Sequence, residues 1–415
     1  MSATGDTKAR VTATLALGSP PKRVFFVVGE DSGDRLGASL AKALKAKHGN
    51  AVTFEGLAGE GLEAEGVTSI FDIEDIAVMG IGPVIARLPN ILNRLSATVE
   101  AIVDSKPDLV VLIDSPDFTH RVAKRVRARA PNIPIVGWVS PSVWAWRPGR
   151  AAAMRAYMDH LLVLLPFEVE EHETLGGPPA TYVGHPLADQ VTELRPRHLA
   201  ERPPLEGDQV PTVLILPGSR SGEISRLMPL LRTVTERAVE LLKAEDAPTP
   251  LYVLPAVARQ KEKIRRELAS WHVEVELVSG EEAKREAFRS AHAAVAASGT
   301  VALELALAGI PTVIVYRLDT VARLFFRRFI KAWTIVLPNL ILGRPVVREY
   351  VDEYARPELI ARALASMSRP TPERTAQVEA FKELDAVMKG SDDQTPAERA
   401  RMVVDTFLFP THDRF

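Results

Sequence analysis

Three short runs in this chain place reactive residue types where apolar strands should end. Asp114 closes Leu109-Val110-Val111-Leu112-Ile113, and a carboxylate at the carboxyl end of a buried strand is placed to take a proton. The competing use is capping: Asp114 or Asp117 could equally start the helix that begins near Pro116. Gly218-Ser219-Arg220 follows Thr212-Val213-Leu214-Ile215-Leu216 and precedes a helical pattern starting near Glu223. The glycine admits close backbone approach, the helix start offers free N–H groups, and Arg220 supplies a fork for phosphate. A turn followed by a helix cap explains Gly-Ser as well. Ser298-Gly299-Thr300 repeats the arrangement after Ala293 to Ala297. Glu304 is the one charge in Val301-Ala302-Leu303-Glu304-Leu305-Ala306-Leu307. Such a carboxylate needs a partner, and a ribose diol would serve; the plain alternative is a surface glutamate.

A fourth run is aromatic. Gly137-Trp138-Val139-Ser140-Pro141-Ser142-Val143-Trp144-Ala145-Trp146-Arg147 holds three of the five tryptophans of the chain. A large ring left in water forgoes its burial free energy, so these rings either meet a ligand or fill a domain corner.

The elements that must position these runs are legible from periodicity. Arg23 to Val28 is apolar without a break from Val24 onward and ends in Gly29, the pattern of a buried parallel strand. A helix follows, with Leu36, Leu40, Ala43 and Leu44 on one face and Ser32 or Asp34 available as its cap. Leu109 to Ile113, Ile135-Val136 and Leu161 to Leu165 repeat the strand theme, so residues 22–194 read as one doubly wound α/β domain. Arg195 to Pro211 carries Pro196, Pro203, Pro204 and Pro211 among charges and reads as a linker over 195–211. The strand-helix rhythm then restarts and predicts a second α/β domain over 212–369. Residues 370–415 read as polar helices interrupted near Gly390, and residues 1–21 as a disordered leader.

Composition narrows the class. A chain of 415 residues with 46% hydrophobic content supports two or three cored domains, and a net charge of −2 argues against a general nucleic-acid binder. Without cysteine there is no disulfide, thiolate metal site or thiol nucleophile, and the nine histidines show no pair at helical ligand spacing. No metal or other cofactor is expected. No apolar run approaches the ~20 residues of a membrane span.

Taken in order, Gly29-Glu30-Asp31-Ser32-Gly33-Asp34, Ile113-Asp114-Ser115-Pro116-Asp117-Phe118, the Val139 to Trp146 run, Leu165-Pro166-Phe167-Glu168 and Val183-Gly184-His185-Pro186 resemble the lipid A disaccharide synthase family. So do Leu216-Pro217-Gly218-Ser219-Arg220, Ser298-Gly299-Thr300 with Glu304, and Leu337-Pro338-Asn339-Leu340. The resemblance runs from about residue 24 to about residue 360. It implies a glycosyltransferase B (GT-B) architecture, two Rossmann-like doubly wound domains facing a cleft. It also implies an inverting reaction in which UDP-2,3-diacylglucosamine donates its sugar to 2,3-diacylglucosamine 1-phosphate (lipid X). On this resemblance Asp114 is the general base and Asp117 a structural cap. Gly218, Ser219, Arg220, Glu223, Ser298, Gly299, Thr300, Glu304 and Asn339 bind the nucleotide. Glu30, Ser32, Ser140, Trp144, His185 and Glu349 meet substrate, with a structural role for His185 equally open. C-terminal helices in this family pack back on the first domain or on a partner subunit, which allows a homodimer. Three positions depart from the family pattern: Arg348 and Asp352 flank the kept Glu349 where proline and glutamine are usual, and Thr119 stands where asparagine is usual.

Two segments suggest contact with a membrane surface. Ile76 to Ile85 is uncharged and includes Val78, Met79, Ile81 and Val84, with Leu88 and two arginines following. Its Gly80, Gly82 and Pro83 are poor helix-interior residues, so it reads as an exposed apolar flap. Arg323 to Trp333 interleaves Arg323, Arg327, Arg328 and Lys331 with bulky apolar side chains, and no acid lies between Asp319 and Glu349. Anionic lipid or the phosphate of an acceptor would suit it. The expected placement is cytoplasmic, peripheral to the inner face of the cytoplasmic membrane. Two alternatives share the architecture: a UDP-N-acetylglucosamine 2-epimerase-like enzyme, which would not need these surfaces, and an inactive lipid-binding relative.

Overall fold

Apolar runs closed by glycine or a small polar residue become parallel strands covered on both faces, because every connection between them carries a helix back across the sheet. The computed structural model describes residues 20–76, 81–318, 323, 331–389 and 394–410. The leader expected over 1–21 lies, up to residue 19, outside them.

In the first unit β1 (Lys22–Val28) leads to α1 (Asp31–His48), and β2 (Val52–Leu57) to α2 (Glu60–Ala64) and α3 (Ile81–Ser105). Then come β3 (Leu109–Ile113), α4 (Pro116–Arg129), β4 (Ile135–Trp138), α5 (Gly149–Met154), β5 (His160–Val163), α6 (Glu168–Thr174) and β6 (Ala180–Tyr182). The strands pair in parallel in the order β2-β1-β3-β4-β5-β6. The connection reverses direction between β1 and β3, the topological switch point where open α/β sheets bind ligands.

Local chemistry departs from expectation at two places. Asp34 does not cap α1. It is buried and accepts from the backbone N–H groups of Gly59, Gly61 and Leu62 at 2.8, 2.7 and 3.2 Å, so it serves the start of α2 instead. The apolar flap is also revised from Ile81 onward, which is the start of the 25-residue α3. Gly82 and Pro83 fall in its first turn, where proline costs no hydrogen bond. Val78 and Met79 lie outside the described residues.

The second unit opens with α7 (Pro186–Leu194) and then alternates β7 (Thr212–Leu216), α8 (Ser221–Ala244), β8 (Leu251–Ala256), α9 (Lys261–Leu268), β9 (Val275–Ser279) and α10 (Glu281–Ser290). It continues with β10 (Ala293–Ala297), α11 (Thr300–Leu307), β11 (Thr312–Tyr316), α12 (Leu337–Leu342), β12 (Glu349–Val351), α13 (Pro357–Met367) and α14 (Pro372–Lys389). Its parallel order is β12-β11-β10-β7-β8-β9, which puts the switch point between β7 and β10.

The units divide after Gly184, not across a linker at 195–211. That stretch is fastened to the second unit. Arg202 donates to the carbonyls of Phe288, Arg289 and Ala308 at 2.7, 3.2 and 3.0 Å, and Arg195 donates to Leu307 O and pairs with Asp385. The expected C-terminal pair is likewise split. α14 stays with the second unit, where Gln377 Oε1 accepts from Thr312 N. The last helix, α15 (Pro396–Leu408), joins the first: Ala400, Val404 and Leu408 are fully buried in its core, and Asp405 pairs with His48 of α1 at 2.8 Å.

Candidate active site

At the switch point of the first unit, the turns after β1 and β3 meet through polar side chains. Ser32 Oγ donates to Asp114 Oδ2 at 3.2 Å, and Ser115 Oγ donates to Glu30 Oε1 at 3.3 Å. Asp114 Oδ1 accepts from Ser115 N at 2.8 Å, and its carbonyl accepts from Thr119 Oγ1, also at 2.8 Å. Thr119 therefore fills a backbone-bracing role. Asp114 and Ser115 both adopt positive φ, 56° and 43°, a strained conformation that clusters at functional turns. Gly29 permits the approach: a Cβ there would stand 2.6 Å from Ser115 Cβ. Asp117 lies in the first turn of α4, where a negative charge is favourable, and pairs with Arg150 at 3.0 Å. It makes no side-chain cap.

The Trp-rich loop leaves β4 beside this cluster, with Trp138 O accepting from Asp114 N at 3.0 Å. Its two expected substrate contacts need correction. Ser140 is buried, its Oγ held 2.8 Å from His172 Nε2 and 2.9 Å from Pro141 O. Trp144 Nε1 donates to Glu168 Oε1 at 3.3 Å. The polar atoms of both are engaged within the fold, so neither is free for a ligand; only the half-buried Trp144 ring remains for one. Glu168 and His172 were missed because each sits among other polar residues on the short helix α6, with nothing in the sequence to set it apart.

At the switch point of the second unit, the turns after β7 and β10 line one cavity of about 650 Å³. Gly218, Ser219, Arg220 and Glu223 come from the first turn, and Ser298, Gly299, Thr300 and Glu304 from the second. Gly218 has φ +98°, and a Cβ there would stand 2.7 Å from Glu223 Oε2. Glu223 in turn accepts from Arg220 N at 3.4 Å and pairs with the Arg220 guanidinium at 3.5 Å. Arg220 itself is exposed and able to swing toward an anion. Glu304 is largely covered and paired with Lys284 at 2.9 Å. Lys284 also lines the cavity and lies 5.4 Å from the Phe288 ring centroid. No sequence signal marked it, because one lysine on the polar helix α10 resembles its neighbours.

Other expected ligand residues make hydrogen bonds within the fold. Asn339 is buried and its amide is saturated: Nδ2 donates to Thr334 Oγ1 and Val347 O, and Oδ1 accepts from Val346 N and Val347 N. Nothing remains for a nucleotide. Glu349 Oε2 accepts from Ile335 N at 3.0 Å, while Ser298 Oγ donates to Ile335 O at 2.8 Å. His185 is the N-cap of α7, its Nδ1 accepting from Leu187 N at 3.1 Å. Burial lowers its pKa to about 4, so it is neutral. Asp352, the departure from the family pattern, accepts from Leu318 N at 2.9 Å and pairs with Arg323. Two donors face it, which explains a carboxylate there.

Of the surface residues, Leu88 and Leu92 on α3 are exposed, as are Lys331 and Trp333. Arg327 and Arg328 lie outside the described residues, and the side chains of Ile81 and Val84 are likewise outside the description. Among the described residues no helix is long and apolar enough to cross a membrane.

Two doubly wound parallel units in one chain define a protein of the GT-B fold. Solved structures of low identity show the same fold. A putative UDP-N-acetylglucosamine 2-epimerase from Listeria monocytogenes superposes with TM-score 0.60 at 12% identity, covering 95% of this chain and 99% of the other. The glycotransferase of kitacinnamycin gives 0.57 at 16%, covering 94% and 100%. Residues 24–399 match the lipid-A-disaccharide synthetase family, and the chain belongs to it. It is 47% identical over 387 residues to the lipid-A-disaccharide synthase of Nitrobacter hamburgensis, covering 92% of this chain and 95% of the relative. The Bradyrhizobium diazoefficiens relative is 46% identical over 369 residues, covering 89% and 92%.

Proposed function

We propose that this chain transfers the diacylglucosamine of UDP-2,3-diacylglucosamine to the 6-hydroxyl of lipid X, giving the β(1→6) disaccharide 1-phosphate and UDP. Besides membership of the family, the observation that carries this reading is the second-unit cavity. There a glycine turn, an arginine and a helix start accompany a covered carboxylate, a set that suits a diphosphate beside a ribose. Asp114 would take the proton of the acceptor hydroxyl as its oxygen bonds to the donor anomeric carbon. The bond from that carbon to the diphosphate breaks, the electron pair leaves with UDP, and α becomes β in one displacement. The α11 N-terminus and Arg220 would stabilise the charge gathering on the leaving diphosphate.

The acyl chains of both substrates require delivery from a bilayer. The exposed Leu88, Leu92 and Trp333, with Lys331 and Arg323, support a peripheral site on the inner face of the cytoplasmic membrane of a Gram-negative cell. A homodimer is compatible with this reading.

The test is acceptor-dependent UDP release in mixed micelles by wild type and by Asp114→Asn. A loss of roughly 10²–10⁴-fold in the variant is the size expected for a general base. An equally fast variant would leave Asp114 as a structural residue. No acceptor-dependent release from wild type would return the epimerase reading.

A further inference from the structure

The Trp-rich loop is shaped by groups outside it. It opens at Val139, whose φ of +77° is unfavourable for a β-branched residue, and closes at Arg147 with φ +53°. Such a backbone persists only where its surroundings over-determine it. Two buried residues one turn apart on α6 supply that constraint. His172 meets Ser140 at the start of the loop, and Glu168 meets Trp144 near its middle, with Phe167 edge-on to the Trp144 ring at 5.4 Å.

The hydrogen bonds fix the state of each anchor. Ser140 has one proton and donates it to Pro141 O, so His172 Nε2 carries the hydrogen and donates to Ser140 Oγ. This leaves His172 Nδ1 as a lone-pair nitrogen, buried and without a hydrogen-bond partner among the described residues. A Cβ at Gly177 would stand 2.4 Å from it, so the glycine keeps that side open. Burial holds His172 near pKa 4, consistent with a neutral ring. Glu168 accepts from Trp144 Nε1 with one oxygen and from Leu165 N with the other, at 3.3 and 3.0 Å.

We propose that Glu168 and His172 are positioning residues for the acceptor side of the reaction, holding the Trp144 loop in the one shape that flanks Asp114. The proposal rests on the transferase reading above. The loop is continuous with β4, whose last residue shares a backbone hydrogen bond with Asp114, so a shift of its first residues reaches the base. Both anchors are buried, and the role proposed for them involves no contact with substrate.

The experiment compares Glu168→Gln, Trp144→Phe and the double variant in three readouts: acceptor kcat/KM, UDP affinity and tryptophan emission. Glutamine can accept from one of the two donors but turns an NH2 toward the other. Each single variant should lose about 10- to 100-fold in acceptor kcat/KM, the effect of one hydrogen bond to a charged group. The double variant should be no worse than the poorer single one, and UDP affinity should stay at wild type. A wild-type kcat/KM in Glu168→Gln, or losses that multiply in the double variant, would overturn the proposal. If Glu168→Gln does not fold, Trp144→Phe alone decides: unchanged acceptor kcat/KM rejects the anchor. A wild type that forms no disaccharide would instead refute the transferase reading. In that case emission still reports the loop, because Trp144 should move to a wetter environment in Glu168→Gln, and unchanged emission rejects the anchor.

Discussion

Lys284 Nζ lies 2.9 Å from Glu304 Oε2, so the carboxylate in the second-unit cavity already has an ionic partner within the fold. The lysine holds the carboxylate through one oxygen, leaving the second to accept. Removing the acceptor should therefore matter more than removing its partner. Glu304→Ala should weaken UDP binding by about 10- to 100-fold, and Lys284→Ala by less. Titration calorimetry on both variants checks the order; equal affinities in Glu304→Ala and wild type would detach Glu304 from the ligand.

Gly29 is the space through which Ser115 reaches Glu30. Gly29→Ala places a methyl 2.6 Å from Ser115 Cβ, and overpacking of this kind costs about 1–3 kcal/mol. Much of the relief would come from displacing Ser115 and hence Asp114. The expected phenotype is a folded protein with wild-type UDP affinity and poor acceptor turnover. A fully active Gly29→Ala would show that the turn adapts without cost.

Acid stability in the first unit is set by opposed titrations. Burial lifts Glu168 from 4.5 to about 7, so its contribution is full below pH 4.5 and is lost as pH rises through 7. Burial, helped for His120 by Arg150 and Lys124, lowers His120 and His172 from 6.5 to about 4. Their contribution is full above pH 6.5 and disappears as pH falls toward 4. His160 is lowered by burial as well, so between pH 6.5 and 4.5 the histidines outweigh the one glutamate and acidification brings a net loss of stability. Glu168→Gln removes the opposing group, so its Tm should fall more steeply than that of wild type from pH 6.5 to 4.5. Parallel curves would contradict the raised pKa.

For the surface, Lys331→Glu and Trp333→Ala should each weaken sedimentation with anionic phospholipid vesicles. Attraction of about 1 kcal/mol per basic residue corresponds to roughly fivefold for Lys331, and the effect should shrink at high salt. Binding that is insensitive to both variants and to salt would place the contact elsewhere.

What the sequence disclosed was governed by adjacency along the chain. Asp114, Gly218 and Ser298 each follow an uninterrupted apolar strand, and a parallel sheet delivers strand ends to one edge, so those positions were readable before the fold was known. Groups defined by pairing were not. The Asp352–Arg323 pair spans 29 residues and the Lys284–Glu304 pair 20. No local pattern distinguishes such partners from solvated charges. Asn339 misled for a related reason: an amide inside a family motif can serve the backbone as readily as a ligand, and only its four hydrogen bonds tell which. The linker reading failed at Arg195 and Arg202, whose charges satisfy buried carbonyl groups rather than water.

The left-handed turn at position 114 acts as a filter on which side chains can occupy it. Glycine, asparagine and aspartate enter that backbone region at least cost. The turn thus admits a short menu before any chemistry is considered, and within it aspartate alone carries a base. Asparagine is consequently the replacement that removes the proposed base while sparing the backbone. An alanine there would perturb shape and chemistry together, and its lost activity could not be apportioned between them.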